Sequence, residues 1–204
     1  MASVHTSCQS CGDSLISPLF CFTCNSLQTI SDDLDHFKVM GLPHCFEIDS
    51  VELEDLYQRL TLETHPDFFG AAPDNQKRLS EKSSVMLNAS YSSLREPTSR
   101  ARYLLSLFAR GKNLQTNTLP EDFLQEMFTF QEDLDEMLES CDQSELCKMN
   151  EDLQNRYNII ESNYAALFKK FETSPENTEI LQQLQTQLNA ERYLRRLLDR
   201  INSQ

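Results

Sequence analysis

Apolar residues recur at helical spacing along most of the chain, and the first clear case is the segment 51–64. Its apolar side chains occupy positions i, i+3, i+4 and i+7 of one helix face, at Leu53, Leu56, Tyr57 and Leu60. Asp49, followed three residues later by Glu52, predicts a capping box at the start. The helix should end near Thr64, because Pro66 disfavours the helical conformation in the residue before it.

A second and a third stripe follow this helix. The segment 65–73 holds two prolines and a glycine and is predicted to be a loop. Beyond it, Leu87, Tyr91 and Leu94 form one stripe, and Pro97 separates it from a short stripe at Ala101, Leu104, Leu105 and Phe108. Two helices joined by a tight loop, each with an apolar face, predict an antiparallel helical hairpin.

The C-terminal half predicts three long helices after a polar linker at residues 111–118. The first should begin near Pro120, and the third after Ser174 as cap and Pro175 as first helical residue. Glu191 interrupts the stripe of the third helix. Short connections favour antiparallel neighbours, so this half should be a three-helix bundle and the fold class all-α.

The charge balance excludes some partners. The chain has 204 residues with 18 Lys and Arg against 32 Asp and Glu, a net charge of −14. A nucleic acid or an anionic membrane is therefore not an expected partner, since phosphate binding needs a clustered positive face. The first 37 residues lack Lys and Arg, so neither a secretory signal nor an Arg-rich transit peptide is predicted. We expect a cytoplasmic protein, or a mitochondrial matrix protein if the chain is a trimmed eukaryotic one.

Four of the seven cysteines form two Cys-x-x-Cys pairs in the segment 1–30, at Cys8, Cys11, Cys21 and Cys24. An odd cysteine count without a secretory signal weakens a disulfide framework. Two pairs can aim four thiolates at one ion, which predicts a closed, structural zinc site with a hairpin between the two knuckles. Gly12 fits a knuckle position that needs positive φ. The alternatives are iron in a rubredoxin-like site, a redox dithiol or no metal.

The segment 1–30 is too short to bury a core, so we expect it to unfold without its metal. The three remaining cysteines have no ligand spacing and should be buried or half-buried thiols, at Cys45, Cys141 and Cys147.

The loop at the tip of the hairpin carries the tripeptide His65-Pro66-Asp67. In this context residues 35–110 resemble a J-domain, and residues 35–204 are similar to HscB-type co-chaperones of iron–sulfur cluster assembly. The similarity extends to the opening stretch Phe37-Lys38-Val39-Met40-Gly41-Leu42-Pro43, to Arg102-Tyr103-Leu104-Leu105-Ser106-Leu107, and to the paired N-terminal cysteines of the eukaryotic type. It implies a non-enzymatic protein with a zinc segment at 1–30, a J-domain at 35–110 and a scaffold-binding domain at 119–204.

The resemblance places the contact with a DnaK- or HscA-type ATPase chaperone on His65, Pro66 and Asp67. The family often has several cations on the preceding helix, whereas this helix offers only Arg59. We include Arg59 in the chaperone site and expect weak long-range steering. Alternatively, the three residues only end the helix and form hydrogen bonds within their own loop. A further alternative is that His65 is an acid–base catalyst or a metal ligand.

A second site is predicted on the first and third C-terminal helices. Leu124 and Phe128 lie about 100° and 140° around the helix from its core stripe, and Glu132 lies one turn after Phe128 on the same face. Tyr193 lies outside the core stripe of the last helix. The resemblance implies that this patch holds an IscU-type scaffold protein, although Gln125 stands where the family often has an apolar residue. The alternative is that the J-domain packs on these side chains.

Three other functions stay open. A generic J-protein could use the bundle for another client or for dimerisation. A thiol oxidoreductase could use the Cys-x-x-Cys pairs. An enzyme could use His65 and Asp67 for proton transfer.

Overall fold

The computed structural model describes residues 7–31, 33–140 and 143–203. The chain divides into two compact units, Met1–Arg100 and Ala101–Gln204. Over the described ranges there are seven α-helices, one 3₁₀ helix and two strands of two residues each. The predicted all-α fold class is therefore confirmed.

The first unit opens with a small two-stranded sheet. Strands β1 (Phe20–Cys21) and β2 (Ser26–Leu27) are antiparallel, with Phe20 opposite Leu27. They flank the second Cys-x-x-Cys pair, whereas the sequence predicted a hairpin between the two pairs. The first pair is closed instead by a single bridge between Ser7 and Ser14.

The two long helices of the first unit follow the predicted pattern, whereas a four-residue helix before them and a 3₁₀ helix within the predicted loop 65–73 were not predicted. Short α1 (His36–Val39) precedes α2 (Ser50–Thr64), the 3₁₀ helix Pro66–Phe69 and α3 (Asp74–Arg95). The Asp49 carboxylate accepts from the backbone N–H groups of Val51 and Glu52 at 2.8 and 3.1 Å, so it caps α2 as predicted. The core contains Phe37 from α1 and the fully buried leucines of the two predicted stripes, Leu53, Leu60, Leu87 and Leu94.

Contacts along α2 and α3 show that they run antiparallel. The rings of Tyr57, in the middle of α2, and Tyr91, near the end of α3, stack with their centroids 3.9 Å apart. Tyr91 also donates to Glu54, and this hydrogen bond lowers the pKa of the Glu54 carboxyl. At the opposite end of the pair, α3 contacts the last carbonyl of α2, that of Thr64. The tip of the hairpin is therefore the segment around residues 65–73.

Helix α4 (Pro97–Phe108) crosses from the first unit into the second, which continues with α5 (Phe123–Ser140), α6 (Gln143–Thr173) and α7 (Thr178–Asn202). Helix α5 begins three residues after Pro120, because Asp122 adopts a φ of 59°. Helix α7 begins at Thr178, with Asn177 rather than Ser174 as its cap, since a turn occupies residues 174–177. Both predicted starts were therefore early by a few residues.

The predicted linker is non-helical but is bound to α7. The backbone N–H of Gln115 donates to Gln182 Oε1 at 2.8 Å. The amide of Asn189 donates to the carbonyls of Thr116 and Thr118 at 2.9 and 2.8 Å. Residues 111–118 therefore form a strap on α7 and not a free linker.

Glu191 lies within the buried face of α7 instead of interrupting it. Its side chain is fully buried and forms ion pairs with Arg102 at 2.5 Å and Arg195 at 2.8 Å. Arg200, near the end of α7, pairs with Asp135 on α5. Glu191 and Arg200 thus connect α7 to α4 and α5.

Candidate functional site

The four N-terminal cysteines converge on one point. All four sulfurs lie within 4.8 Å of one another, with Cys8 Sγ 3.6 Å from Cys24 Sγ and Cys11 Sγ 3.7 Å from Cys21 Sγ. A tetrahedral zinc with Zn–S bonds of about 2.3 Å requires sulfurs about 3.8 Å apart. The cysteine set therefore fits a closed four-thiolate site, as the spacing predicted.

Each Cys-x-x-Cys pair is followed directly by a residue with a positive φ. Gly12 follows Cys11 with a φ of 79°, as predicted, and Asn25 follows Cys24 with a φ of 54°. Asparagine tolerates this conformation better than most residues, which explains its place in the second knuckle. The backbone N–H groups of Ser10 and Cys11 point at Cys8 Sγ, at 3.3 and 3.4 Å.

The electrostatics of the cluster favour a bound cation. The backbone N–H of Cys11, with that of Ser10, lowers the pKa of the Cys8 thiol to about 5. The N–H of Asp13 acts in the same direction on Cys11, but burial and the neighbouring sulfurs outweigh it and raise the pKa of Cys11 to about 12. Four thiolates therefore cannot form together at neutral pH without a positive charge among them.

The four-cysteine segment packs against the helical hairpin. The Ser17 hydroxyl donates to the Val39 carbonyl at 2.7 Å, and Lys82 Nζ donates to the Ile30 carbonyl at 3.2 Å. Gly41 approaches Ile16 so closely that an added Cβ would lie 1.8 Å from the Ile16 oxygen. The segment therefore shares the core of the first unit, which its sequence alone did not predict.

The other cysteines lie outside this cluster. Cys45 is half-buried, as expected, and its thiol donates to the Glu47 carbonyl at 3.1 Å. Cys147 is exposed, which corrects the expectation of a buried or half-buried thiol. Cys141 lies outside the described residues.

His65, Pro66 and Asp67 form an exposed corner at the tip of the hairpin. The Asp67 side chain is 87% exposed and that of His65 46% exposed. The Asp67 backbone N–H donates to His65 Nδ1 at 3.3 Å, and the same nitrogen lies 3.7 Å from an Asp67 carboxylate oxygen. The predicted bond to its own loop is thus present, and both side chains are nevertheless exposed.

Two serines on α3 hold the corner in place, and sequence analysis did not single them out. The Thr64 carbonyl, the last of α2, accepts from Ser80 Oγ at 2.6 Å and from Ser84 Oγ at 3.1 Å. These hydroxyls satisfy a carbonyl that the helix itself leaves unpaired. A signal was available, since Ser80 lies two turns before Leu87 on the buried stripe of α3.

Arg59, the remaining residue of the predicted chaperone site, lies on α2 and is exposed. Its guanidinium carbon is 4.6 Å from the centroid of the Phe22 ring, which belongs to the second Cys-x-x-Cys pair. The one cation of α2 therefore contacts the four-cysteine segment, a contact that no pattern in the sequence indicates.

The predicted patch on the second unit is exposed. The Leu124 and Phe128 side chains are 60% and 63% exposed, and Glu132 is exposed on the following turn. Tyr193 is half-buried, with its ring 5.8 Å from that of Phe123 and its hydroxyl 3.4 Å from Gln131 Oε1. The structure thus brings Tyr193 against α5, beside the exposed side chains of Leu124 and Phe128.

Within the described ranges, none of the helices combines the length and the apolar character needed to cross a bilayer.

No protein-family model matches the chain. A co-chaperone protein HscB homolog of Aromatoleum aromaticum is 34% identical over 122 residues, which cover 59% of this chain and 69% of that protein. The iron-sulfur cluster co-chaperone protein HscB of Homo sapiens is 39% identical over 88 residues, 43% of this chain. That match spans 37% of the human protein, and the corresponding match spans 40% of the Mus musculus protein.

Two solved structures are similar to this chain over most of its length. The crystal structure of human co-chaperone protein HscB has a TM-score of 0.75 and 25% identity, covering 97% of this chain and 98% of that one. Chaperone HscB from Vibrio cholerae, at 22% identity, shares the fold with a TM-score of 0.69 over 83% of this chain and 96% of its own. With the exposed corner, the four-cysteine cluster and the helical bundle, these likenesses show that the chain belongs to the HscB family of co-chaperones.

Proposed function

We propose that this protein stimulates ATP hydrolysis by a DnaK- or HscA-type chaperone through the corner formed by His65, Pro66 and Asp67. The observation that supports this most strongly is the exposure of the Asp67 carboxylate on a proline-fixed turn. A carboxylate held there can accept a charge-assisted hydrogen bond from an arginine of the chaperone. The exposed His65 imidazole lies beside it, and Arg59 supplies a cation on the preceding helix.

The second unit is proposed to bind an IscU-type iron–sulfur scaffold protein. The human and mouse relatives are named iron-sulfur cluster co-chaperones, which supports a client of this kind. The docking surface would be Leu124 and Phe128 with Tyr193 beside them, and Glu132 at the edge. Burying an exposed leucine or phenylalanine side chain stabilises a complex by roughly 1.5–3 kcal/mol, so two of them can anchor a partner.

The two sites together define an adapter without an enzymatic activity of its own. A chain that binds the chaperone and the scaffold at once raises the effective concentration of one for the other. We assign the chaperone site to the J-domain at 35–110 and the scaffold site to the domain at 119–204.

A single structural zinc ion is proposed for the segment 1–30, held by Cys8, Cys11, Cys21 and Cys24. When bound, it supplies positive charge that allows all four thiols to ionise, and it leaves no open coordination position for catalysis. One zinc per chain by elemental analysis, with thiols that resist alkylation until a chelator is added, is the expected result. Thiols that react at once and cycle with a reductant would favour a redox dithiol instead.

The test of the chaperone site is single-turnover ATP hydrolysis by a DnaK- or HscA-type chaperone. We expect the wild-type chain to accelerate it and His65→Gln to abolish the acceleration. Asp67→Asn should also lose it, whereas Asp55→Asn, which removes an exposed carboxylate elsewhere on the hairpin, should retain it. Equal stimulation by wild type and His65→Gln would rule the proposal out.

The test of the scaffold site is a pull-down with a purified IscU-type scaffold. The double variant Leu124→Ala/Phe128→Ala should lose capture, because it removes both exposed apolar side chains. Ile159→Ala is the matched control, since Ile159 is 62% exposed on α6, outside the patch. Undiminished capture by the double variant would assign the scaffold, or another client, to a different surface.

A further inference from the structure

The contact between Arg59 and Phe22 joins the chaperone site to the metal site. Arg59 is the single Lys or Arg of α2, and its guanidinium carbon lies 4.6 Å from the Phe22 ring centroid. Phe22 is placed inside the second Cys-x-x-Cys pair, directly after Cys21. A residue outside the helical hairpin therefore holds the one cation that α2 offers.

The position of the Phe22 ring depends on the folded knuckle. Cys21 is fully buried in β1, and the ring of Phe20 meets that of Phe22 edge-on at 5.3 Å. The strand is only two residues long and pairs with an equally short β2, so the backbone hydrogen bonds there are few. Closure of the four thiolates on a metal would therefore add a constraint on this turn, besides the packing of the segment against the helices.

We propose that the metal-closed knuckle positions Arg59 for the chaperone, with Phe22 as the positioning residue. This inference rests on the proposed function. A guanidinium stacked on an aromatic ring keeps its in-plane N–H groups available for a carboxylate. Because the stack orders the side chain beforehand, less conformational entropy is lost when an acidic surface of the chaperone binds.

The stack also competes with the carboxylates of the same helix. Asp55 and Glu63 lie four residues before and after Arg59, where helical ion pairs form. Without Phe22, Arg59 would pair with either of them and become less available to a partner. Loss of the metal should therefore weaken chaperone binding through Arg59 while His65, Pro66 and Asp67 are unchanged.

The decisive experiment is a double-mutant cycle on chaperone affinity, measured by fluorescence anisotropy of the full, metal-loaded chain. Phe22→Leu should weaken binding by about two- to fivefold, the value of a solvent-exposed cation–π contact. In the Arg59→Ala background, Phe22→Leu should have no further effect. In the background of Arg78→Ala, an exposed cation on α3 that serves as the matched control, the loss should persist.

A chelator should reproduce the loss for the wild type but not for Arg59→Ala. Equal affinities of Phe22→Leu and wild type, or an equal loss in the Arg59→Ala background, would overturn the proposal. The NMR resonance of Arg59 Nε–H gives a readout that does not need the chaperone, because the ring current of Phe22 should shift it and chelation should remove the shift. If the shift is present but wild type and His65→Gln do not differ in chaperone binding, the proposed function has failed and not the stack.

Discussion

At the scale of single residues, the exposed corner at His65, Pro66 and Asp67 is held in place by hydrogen bonds within the first unit. Pro66 stops α2, and the Thr64 carbonyl that is left over accepts two hydroxyls from α3. His65 Nδ1 accepts the backbone N–H of Asp67. The Thr64 carbonyl and the Asp67 N–H thus find local partners, and the Asp67 carboxylate is exposed.

Ser80→Ala should destabilise the first unit by about 1 kcal/mol and loosen the corner, because it removes the shorter of the two hydrogen bonds to the Thr64 carbonyl. Urea denaturation gives the free energy of unfolding, and hydrogen exchange over residues 65–69 gives the local effect. Ser92→Ala, at an exposed site of the same helix, should change stability by less than about 0.5 kcal/mol. Identical exchange at the corner in both variants would contradict this role of Ser80.

The pH dependence of the first unit should carry a contribution from His36. Burial lowers the pKa of this imidazole, which lies 3.0 Å from Ser90 Oγ, although Asp35 opposes the shift. The folded state therefore binds the proton less readily than the unfolded chain, whose histidine pKa is about 6.5. The stabilisation is complete above that pH and is lost as pH falls below it toward the lower pKa of the folded state.

His36→Asn should therefore lose less stability than wild type between pH 7 and about pH 5.5, a window set by the unperturbed histidine pKa. Melting temperatures at several pH values, compared as wild type minus variant, separate this effect from protonation of the cysteines. Parallel pH profiles for the two proteins would show that His36 is not responsible.

At the scale of secondary-structure elements, helix existence could be predicted from the sequence, but several helix ends could not. The stripes of α2 and α3 and the Asp49 cap were confirmed, because period, cap and proline all indicate the same boundaries there. The start of α7 was placed early, because Asn177 caps as well as Ser174 and local sequence does not rank the two. Glu191 was predicted to interrupt the α7 stripe, because its partner Arg102 is distant in sequence.

Some features of the candidate sites could likewise be predicted from the sequence, and others could not. The four cysteines, the exposed corner and the exposed Leu124–Phe128 pair follow from spacing and helical phase, and the structure brings each together. The Phe22–Arg59 stack and the serine contacts on Thr64 could not be predicted, because they join segments 16 to 37 residues apart. Tertiary packing, which no local pattern encodes, decides such contacts.

The docking of the four-cysteine segment on the hairpin should depend on Gly41. Its φ is +64°, and a Cβ at this position would meet the Ile16 carbonyl oxygen at 1.8 Å, so Gly41→Ala must separate the two backbones. A Cβ at Gly12 would have no atom within 4 Å, so Gly12→Ala should lower the free energy of unfolding only by the cost of its left-handed φ, about 1–2 kcal/mol. Gly41→Ala should cost a further 1–3 kcal/mol, roughly the penalty of overpacking.

Denaturation of the two metal-loaded glycine variants measures this difference, and hydrogen exchange over the segment reports whether it stays docked. Equal free energies of unfolding for Gly12→Ala and Gly41→Ala would show that the close approach to Ile16 is not needed for stability.

At the scale of the whole molecule, the two exposed sites lie in different units of an acidic chain. The net charge of −14 and the single cation of α2 give little long-range attraction to an acidic chaperone. Productive encounters should therefore depend on short-range contacts and on proximity. A scaffold held at the Leu124–Phe128 patch and a chaperone held at the corner would each raise the local concentration of the other.

The most direct test of this account is the single-turnover ATPase rate of a DnaK- or HscA-type chaperone, titrated with this protein in the presence and absence of an IscU-type scaffold. We predict stimulation by the wild type that reaches half-maximum at a lower concentration when the scaffold is present. Leu124→Ala/Phe128→Ala should keep the stimulation but lose the dependence on scaffold, and His65→Gln should lose both. Full stimulation by His65→Gln, with or without scaffold, would contradict the central claim that the exposed corner contacts the chaperone.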